Sequence, residues 1–147
     1  MSNVDVTATI SPSSALSGAP YFTSASVGTA LYAYLRGQSD IARVYPVRLP
    51  QNPTYPCATF QVISEPRSHS MEGRVAANPL VQIDCWAKTY QEAQDLASAV
   101  ERAMDMFSGR MGGVLNVLSC LQRERQDFYE PDVDDYRVSL DFAIWHN

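Results

Sequence analysis

The sequence predicts an α+β fold: one mixed, mostly antiparallel sheet of about five strands with two helices packed on one face. Three observations carry this. Residues 136–145 alternate strictly, with Tyr136, Val138, Leu140, Phe142 and Ile144 set against Arg137, Ser139, Asp141, Ala143 and Trp145, the period of a half-buried strand. Residues 81–104, VQIDCWAKTYQEAQDLASAVERAM, change within one stretch from period two to period 3.6. Val27, Ala30, Leu31, Tyr34 and Leu35 fall at i, i+3, i+4, i+7 and i+8, one face of an earlier helix. The resulting order of helix, three strands, helix, two strands suggests segregated layers sharing one core.

Taken in order, residues 1–22 (MSNVDVTATISPSSALSGAPYF) are rich in Ser, Thr, Ala, Gly and Pro, with a weak alternation at Val4, Val6 and Ile10. Such a segment cannot build a core alone, so it reads as an extended arm, and residues 23–147 read as a single domain. Gly37 is placed to end the first helix. Residues 44–49 form a short strand that Pro46 confines to an edge or an irregular position, and QNPTYP is a turn. In CATFQVISE, residues 57–65, Ala58, Phe60 and Val62 share one face while Thr59 and Gln61 share the other. RSHSMEGRVAAN, residues 67–78, reads as a long polar connection.

Val81, Ile83 and Cys85 then point inward, with Asp84 and Trp86 on the opposite face. Thr89 and Glu92 make a T-x-x-E capping box, in which each side chain satisfies a free backbone N–H. Ala93, Leu96, Ala97, Val100, Met104 and Phe107 follow on the core face of the second helix, and Glu92, Asp95, Glu101 and Asp105 on its solvent side. Three glycines in residues 108–113 end that helix, and residues 114–121 are apolar enough for a buried strand. If the strands flanking the helix are parallel, they make a right-handed crossover.

Composition bounds the function. A chain of 147 residues, 46% hydrophobic, suffices for one core without staples. No apolar run approaches the roughly 18 residues needed to span a bilayer, and the N-terminal stretch lacks the basic and apolar regions of a secretory signal. Three widely spaced cysteines, Cys57, Cys85 and Cys120, argue against a disulfide scaffold and suit a reducing site of synthesis. The net charge is −5, with ten arginines and one lysine. Seven acids lie between Leu121 and Asp141 against three arginines. Nucleic-acid affinity needs a basic patch that releases phosphate counterions, so tight DNA binding is not expected. The acidic stretch reads either as a solvated loop and strand face or as a surface that repels DNA or meets an arginine-bearing partner.

Catalytic chemistry finds no purchase. There is no GxSxG, HExxH, GxGxxG or phosphate-cradling glycine loop. Asp84 and Cys85 project to opposite sides of the sheet and cannot share an active centre. His69 lies in the polar connection and His146 is the penultimate residue; both read as polar surface. Asp134 and Asp135 are adjacent acids that face apart, so neither a metal nor a cofactor is expected. Trp86 and Trp145, on the faces opposite the core stripes, either pack under a loop or mark a contact with another subunit.

The order of certain segments resembles the tail-completion family of long-tailed bacteriophages, which includes tail terminators and tail-to-head joining proteins. The segments are ALYAYL in the first helix, the YPCATFQVIS strand, the strand–helix unit of residues 81–104, and the closing DFYEPDVDDYRVSLDFAIWHN. The resemblance covers residues 29–146; the arm of residues 1–22 departs from the family's pattern. It implies a non-enzymatic virion protein that closes into a ring, typically a hexamer, at the head-proximal end of the tail. Such a ring caps the tail tube protein, ends polymerisation and meets connector or neck proteins of the head, with no membrane involved. Within that expectation, Arg67, His69, Met71, Arg74, Trp86 and Trp145 are candidates for subunit or tail-tube contacts. Glu124, Asp127, Glu130, Asp132, Asp134 and Asp135 are candidates for an acidic bore through which DNA passes without specific binding. The competing readings are a head-side connector of the same virion and a small ligand-binding or enzymatic domain.

Overall fold

The computed structural model describes residues 26–65, 67–70 and 73–147, with the backbone alone at 26, 67–70 and 73–76. The expected arm of residues 1–22 and Met71 therefore lie outside the described residues. Two helices, α1 (Ser26–Arg36) and α2 (Tyr90–Met104), accompany eight strands. These are β1 (Val44–Pro46), β2 (Cys57–Ser64), β3 (Arg67–Ser70), β4 (Gly73–Ala77), β5 (Leu80–Ala87), β6 (Gly109–Met111), β7 (Leu115–Glu130) and β8 (Asp135–His146).

The eight strands form one sheet with six positions across it, in the order β1, β2, β5, β8, β7, β6. Only β1 on β2 is parallel. β3 and β4 take no new position: the pairing of Arg67 with Ala77 continues that of Ser64 with Leu80. Ala77 opposite His146 likewise extends the register of Leu80 opposite Ala143. β2 and β3 thus form one arm of a long hairpin and β4 and β5 the other, with β2 ending at Ser64 and a break at 78–79. The α+β class and the mixed, mostly antiparallel sheet hold, with six positions rather than about five. Residues 67–70 and 73–77 are not a loop, because their backbone groups pair with each other. β7 does not end at Leu121: it runs on to Glu130 because β8 offers it an equally long partner. β5 and β7 do run parallel, but β8 lies between them.

One core fills the space between the sheet and the helices. Ala58, Phe60, Ile83, Cys85, Val138, Leu140, Phe142, Cys120 and Ile144 all face inward on adjacent strands. α2 lies over β5, β8 and β7, while α1 touches β1 and β2 at one flank and β6 and β7 at the other. One helix can meet both flanks only if the sheet curls around it. Gly112, at φ +61 in the β6–β7 turn, shows how closely that flank arrives: a Cβ there would lie 2.5 Å from the Ala30 carbonyl oxygen. The two helices join through the Tyr34 hydroxyl, which donates to Ala103 O at 2.6 Å, and through the Tyr34 and Phe107 rings, 4.8 Å apart.

The N-cap of α2 forms by halves. Thr89 Oγ1 accepts from the Glu92 N–H at 3.2 Å, as expected. The Glu92 carboxylate takes the Thr89 hydroxyl instead of a backbone N–H. A cap contributes about 1 kcal/mol, whereas burying Leu96, Val100 and Met104 contributes about 1.5–3 kcal/mol each. Packing holds this helix, and the cap sets where it starts.

Candidate assembly surfaces

None of the three cysteine thiols is prepared for chemistry. Burial pushes the thiols of Cys57 and Cys120 up to about 11 and about 12, and that of the fully enclosed Cys85 up as well. Thiols held in the neutral form are poor nucleophiles and ligands. Among the described residues no group of three or more His, Cys, Asp or Glu side chains could hold a metal ion. His146 is not surface: its ring is buried on the inward face of β8, beside Val117. His69 sits on β3, opposite Arg74.

The sequence leaves the two ends of the sheet undistinguished; the structure makes them unlike. At one end, residues 131–134 turn β7 into β8. Asp135 is fully buried there, 2.7 Å from Lys88 Nζ, and accepts from the Tyr55 hydroxyl at 2.6 Å. Burial, then this carboxylate, raises the Tyr55 phenol. Lys88 Nζ also donates to Val133 O at 3.1 Å, so the tip is held against the end of β5. Glu130 pairs with Arg137 at 2.8 Å. The Arg137 guanidinium lies between the Phe128 and Trp86 rings, 4.3 and 5.5 Å from their centroids, and 3.3 Å from Asp84. Trp86 is thereby used inside the chain, its Nε1–H donating to Thr59 Oγ1. Asp134 accepts from the Tyr129 hydroxyl, a bond that raises that phenol. Val133, Tyr129 and Tyr90 remain about half exposed.

Of the six acids in the candidate bore, Asp135 is buried and Glu130 paired, which leaves Glu124, Asp127, Asp132 and Asp134 facing solvent. Glu124 stands in a cross-strand row with Asp141 and Gln82 on the face away from the helices. Burial, then the Glu124 and Asp84 charges, raise the Asp141 carboxyl.

At the other end, β3 and β4 extend past the body of the sheet. They pair with each other, and β4 meets β8 only at Ala77 opposite His146. Arg67, His69 and Arg74 are carried on this extension. Leu118, Leu121 and Trp145 are exposed near its base, on β7 and β8. The structure thus brings Trp145 to the arginine-bearing end and holds Trp86 away under Arg137.

A third feature was not legible in the sequence. α1, β1 and β2 enclose an apolar groove of about 490 Å³ lined by Gly28, Tyr32, Pro46, Val47, Phe60 and Val62. Val62 belongs to the inward face by alternation, but β1 stops at Pro46 and leaves it uncovered. Val47 is 66% exposed at φ +68, an unfavourable backbone for a β-branched residue.

Residues 29–147 match the family described as Tail completion protein gp17. The chain belongs to this family. It is accordingly a structural protein of the phage virion, in the tail. No curated protein sequence matches the chain. Among solved structures, a chain of the "Virion of native gene transfer agent (GTA) particle" is similar, with a TM-score of 0.66 and 15% identity over 82% of this chain and 93% of that one. At that identity the likeness is one of fold.

Proposed function

We propose that this tail completion protein closes into a ring, typically a hexamer, that caps the tail tube, ends its polymerisation and joins the tail to the head or neck. The observation that carries this reading is a family member whose sheet has both flanks unfinished. β1 and β6 are three-residue edge strands. Beyond Phe60 on β2 and beyond Gln122 on β7, the described residues offer no outer backbone partner. Unpaired flanks invite another chain, and two different flanks on one subunit make a head-to-tail contact, which gives a ring where the rotation between copies closes.

Within this reading the β3–β4 extension, with Arg67, His69 and Arg74, reaches the tube, supported by Trp145 at its base. Elements that project from a rigid sheet commonly carry binding. Glu124, on the face away from the helices, faces the bore, where negative charge lets DNA pass without being held; Asp127, opposite Val138, lies on the other face of β7. Asp132 and Asp134 remain for a contact between copies.

Electron microscopy of the protein with its tube protein tests the proposal. Rings with an axial hole seated on finished tubes are expected. Loss of the protein should yield overlong or unstable tails. Finished tails beside filled heads would instead place it on the head side, as a connector component. A solitary monomer in assembled particles would end the ring account.

A further inference from the structure

We propose that the β7–β8 tip of one copy, residues 131–134, seats in the apolar groove between α1, β1 and β2 of a neighbouring copy, with Asp132 and Asp134 facing Arg36 and Arg48. The contact is one joint of the ring and rests on that reading.

The groove has the marks of a surface waiting to be covered. Its lining is apolar, its volume takes several side chains, and β2 beyond Phe60 has no outer neighbour there among the described residues. Val47, at its mouth, holds a left-handed backbone, a conformation that persists in a β-branched residue where surrounding structure or function requires it. The rim is basic. The Arg36 guanidinium lies 5.1 Å from the Tyr32 ring centroid, and Arg48 follows Val47 on the exposed side. Among the described residues the ion pairs involve Lys88, Arg125 and Arg137, not these two arginines.

The tip is the complement. Val133 and Tyr129 are 50% and 49% exposed, an aliphatic and an aromatic anchor of the kind that fills pockets at interfaces. Glu130 and Asp135 are neutralised by Arg137 and Lys88. Among the described residues no cation pairs with Asp132 or Asp134, and Asp134 takes only a neutral phenol. Guanidinium–carboxylate pairs formed as the groove closes would be planar and charge-assisted. The tip cannot serve its own groove. Tyr55 and Lys88 hold it at the end of β5, whereas the groove lies on the outer flank of β2, under α1. The partner surface therefore comes from another copy.

Charge reversal tests the contact, read as ring yield on tail tubes by electron microscopy. Arg36→Glu with Arg48→Glu, and separately Asp132→Arg with Asp134→Arg, should each lower ring yield at least tenfold. Combining all four should restore most of it. All four sites are exposed, so unchanged melting temperatures are expected to show intact folding. Independently, Val47→Cys with Val133→Cys should give a ladder of disulfide-linked oligomers on tails, while either single variant gives no ladder. The native cysteines are buried and stay silent. Normal ring yield in both reversal variants, no rescue in the fourfold variant, or rings without a ladder would overturn this contact and leave the ring standing. Absence of rings from the unaltered protein would remove the ring and the contact together. If thiol labelling of the Val47→Cys variant is blocked in the monomer and released by deleting residues 1–22, the groove belongs to the chain's own arm and the proposal fails.

Discussion

The chain holds two long hairpins built from the same strand alternation, and they come to opposite ends. The hairpin of β7 and β8 runs through the middle of the core: Val138, Leu140, Phe142, Ile144 and Cys120 are buried beneath α2, and its tip is tied down through Asp135. The hairpin of β2 to β5 begins in the same way, with Ala58, Phe60, Ile83 and Cys85 buried. Past Ser64 and Leu80, however, it leaves the helices behind, and among the described residues β3 and β4 pair only with each other and with the end of β8. The difference lies in the covering layer. Two strands without a layer to bury against are marginal by themselves. Such an extension adds little to global stability, whereas the covered hairpin is committed to the core.

The comparison breaks most visibly if the uncovered hairpin is removed. Deleting residues 68–77 brings Arg67 to Asn78, which is feasible because Arg67 already pairs with Ala77. Tail capping should be abolished, while the melting temperature and ring formation stay near those of the full chain; unimpaired capping would deny the extension its role. A change at the curled flank of the covered hairpin should do the reverse. Gly112→Val adds a side chain at φ +61 against the Ala30 carbonyl, and strain plus displacement of α1 should cost about 3 kcal/mol, read as a lowered denaturant midpoint. Next in size, Asp135→Ala removes the anchor of the tip. Hydrogen bonds to a charged group contribute about 1.5–3 kcal/mol, and the loss should fall near ~2 kcal/mol because Lys88, 52% exposed, regains water. A loss below about 0.5 kcal/mol would mean the tip is not held as described.

The smallest effect is also the most specific. The Asp141 carboxyl is raised by burial and by the charges of Glu124 and Asp84. Folding therefore disfavours its ionised form, so the penalty is present at neutral pH and disappears as pH falls through the carboxylate range. Asp141→Asn should raise the melting temperature slightly at pH 7 and lose that gain in acid. An equal gain at both pH values would remove the acidic row as its cause.

Much of the covered region was legible from residues alone. Strict alternation at 136–145, the T-x-x-E cap and the apolar stripe of α2 each encode a local preference that burial reinforces, so local and tertiary forces agree there. Residues 67–78 read as a connection in sequence because their apolar content is too low to show a strand period; backbone pairing made the strands. The acids of residues 124–135 look equivalent in sequence, yet Asp135 became a buried ion pair and Asp132 stayed at the surface, because only the fold could bring Lys88 and Tyr55 to one of them. The two indoles diverged for the same reason. Arg137, directly across from Trp86 on β8, claims that ring, while Trp145, opposite Ser119 on β7, stays exposed.

By itself, then, the order of residues determined the class of fold, the inward and outward faces of its strands, the edge placement of the proline-bearing strand and the family to which the chain belongs. These follow from periodicity and local chemistry, which act between residues near in sequence. Strand order, the curl that brings both flanks to α1, the groove beside Val47 and the division of acids into paired and unpaired were decided only in three dimensions. They depend on contacts between distant segments, which form when a shared core draws those segments together.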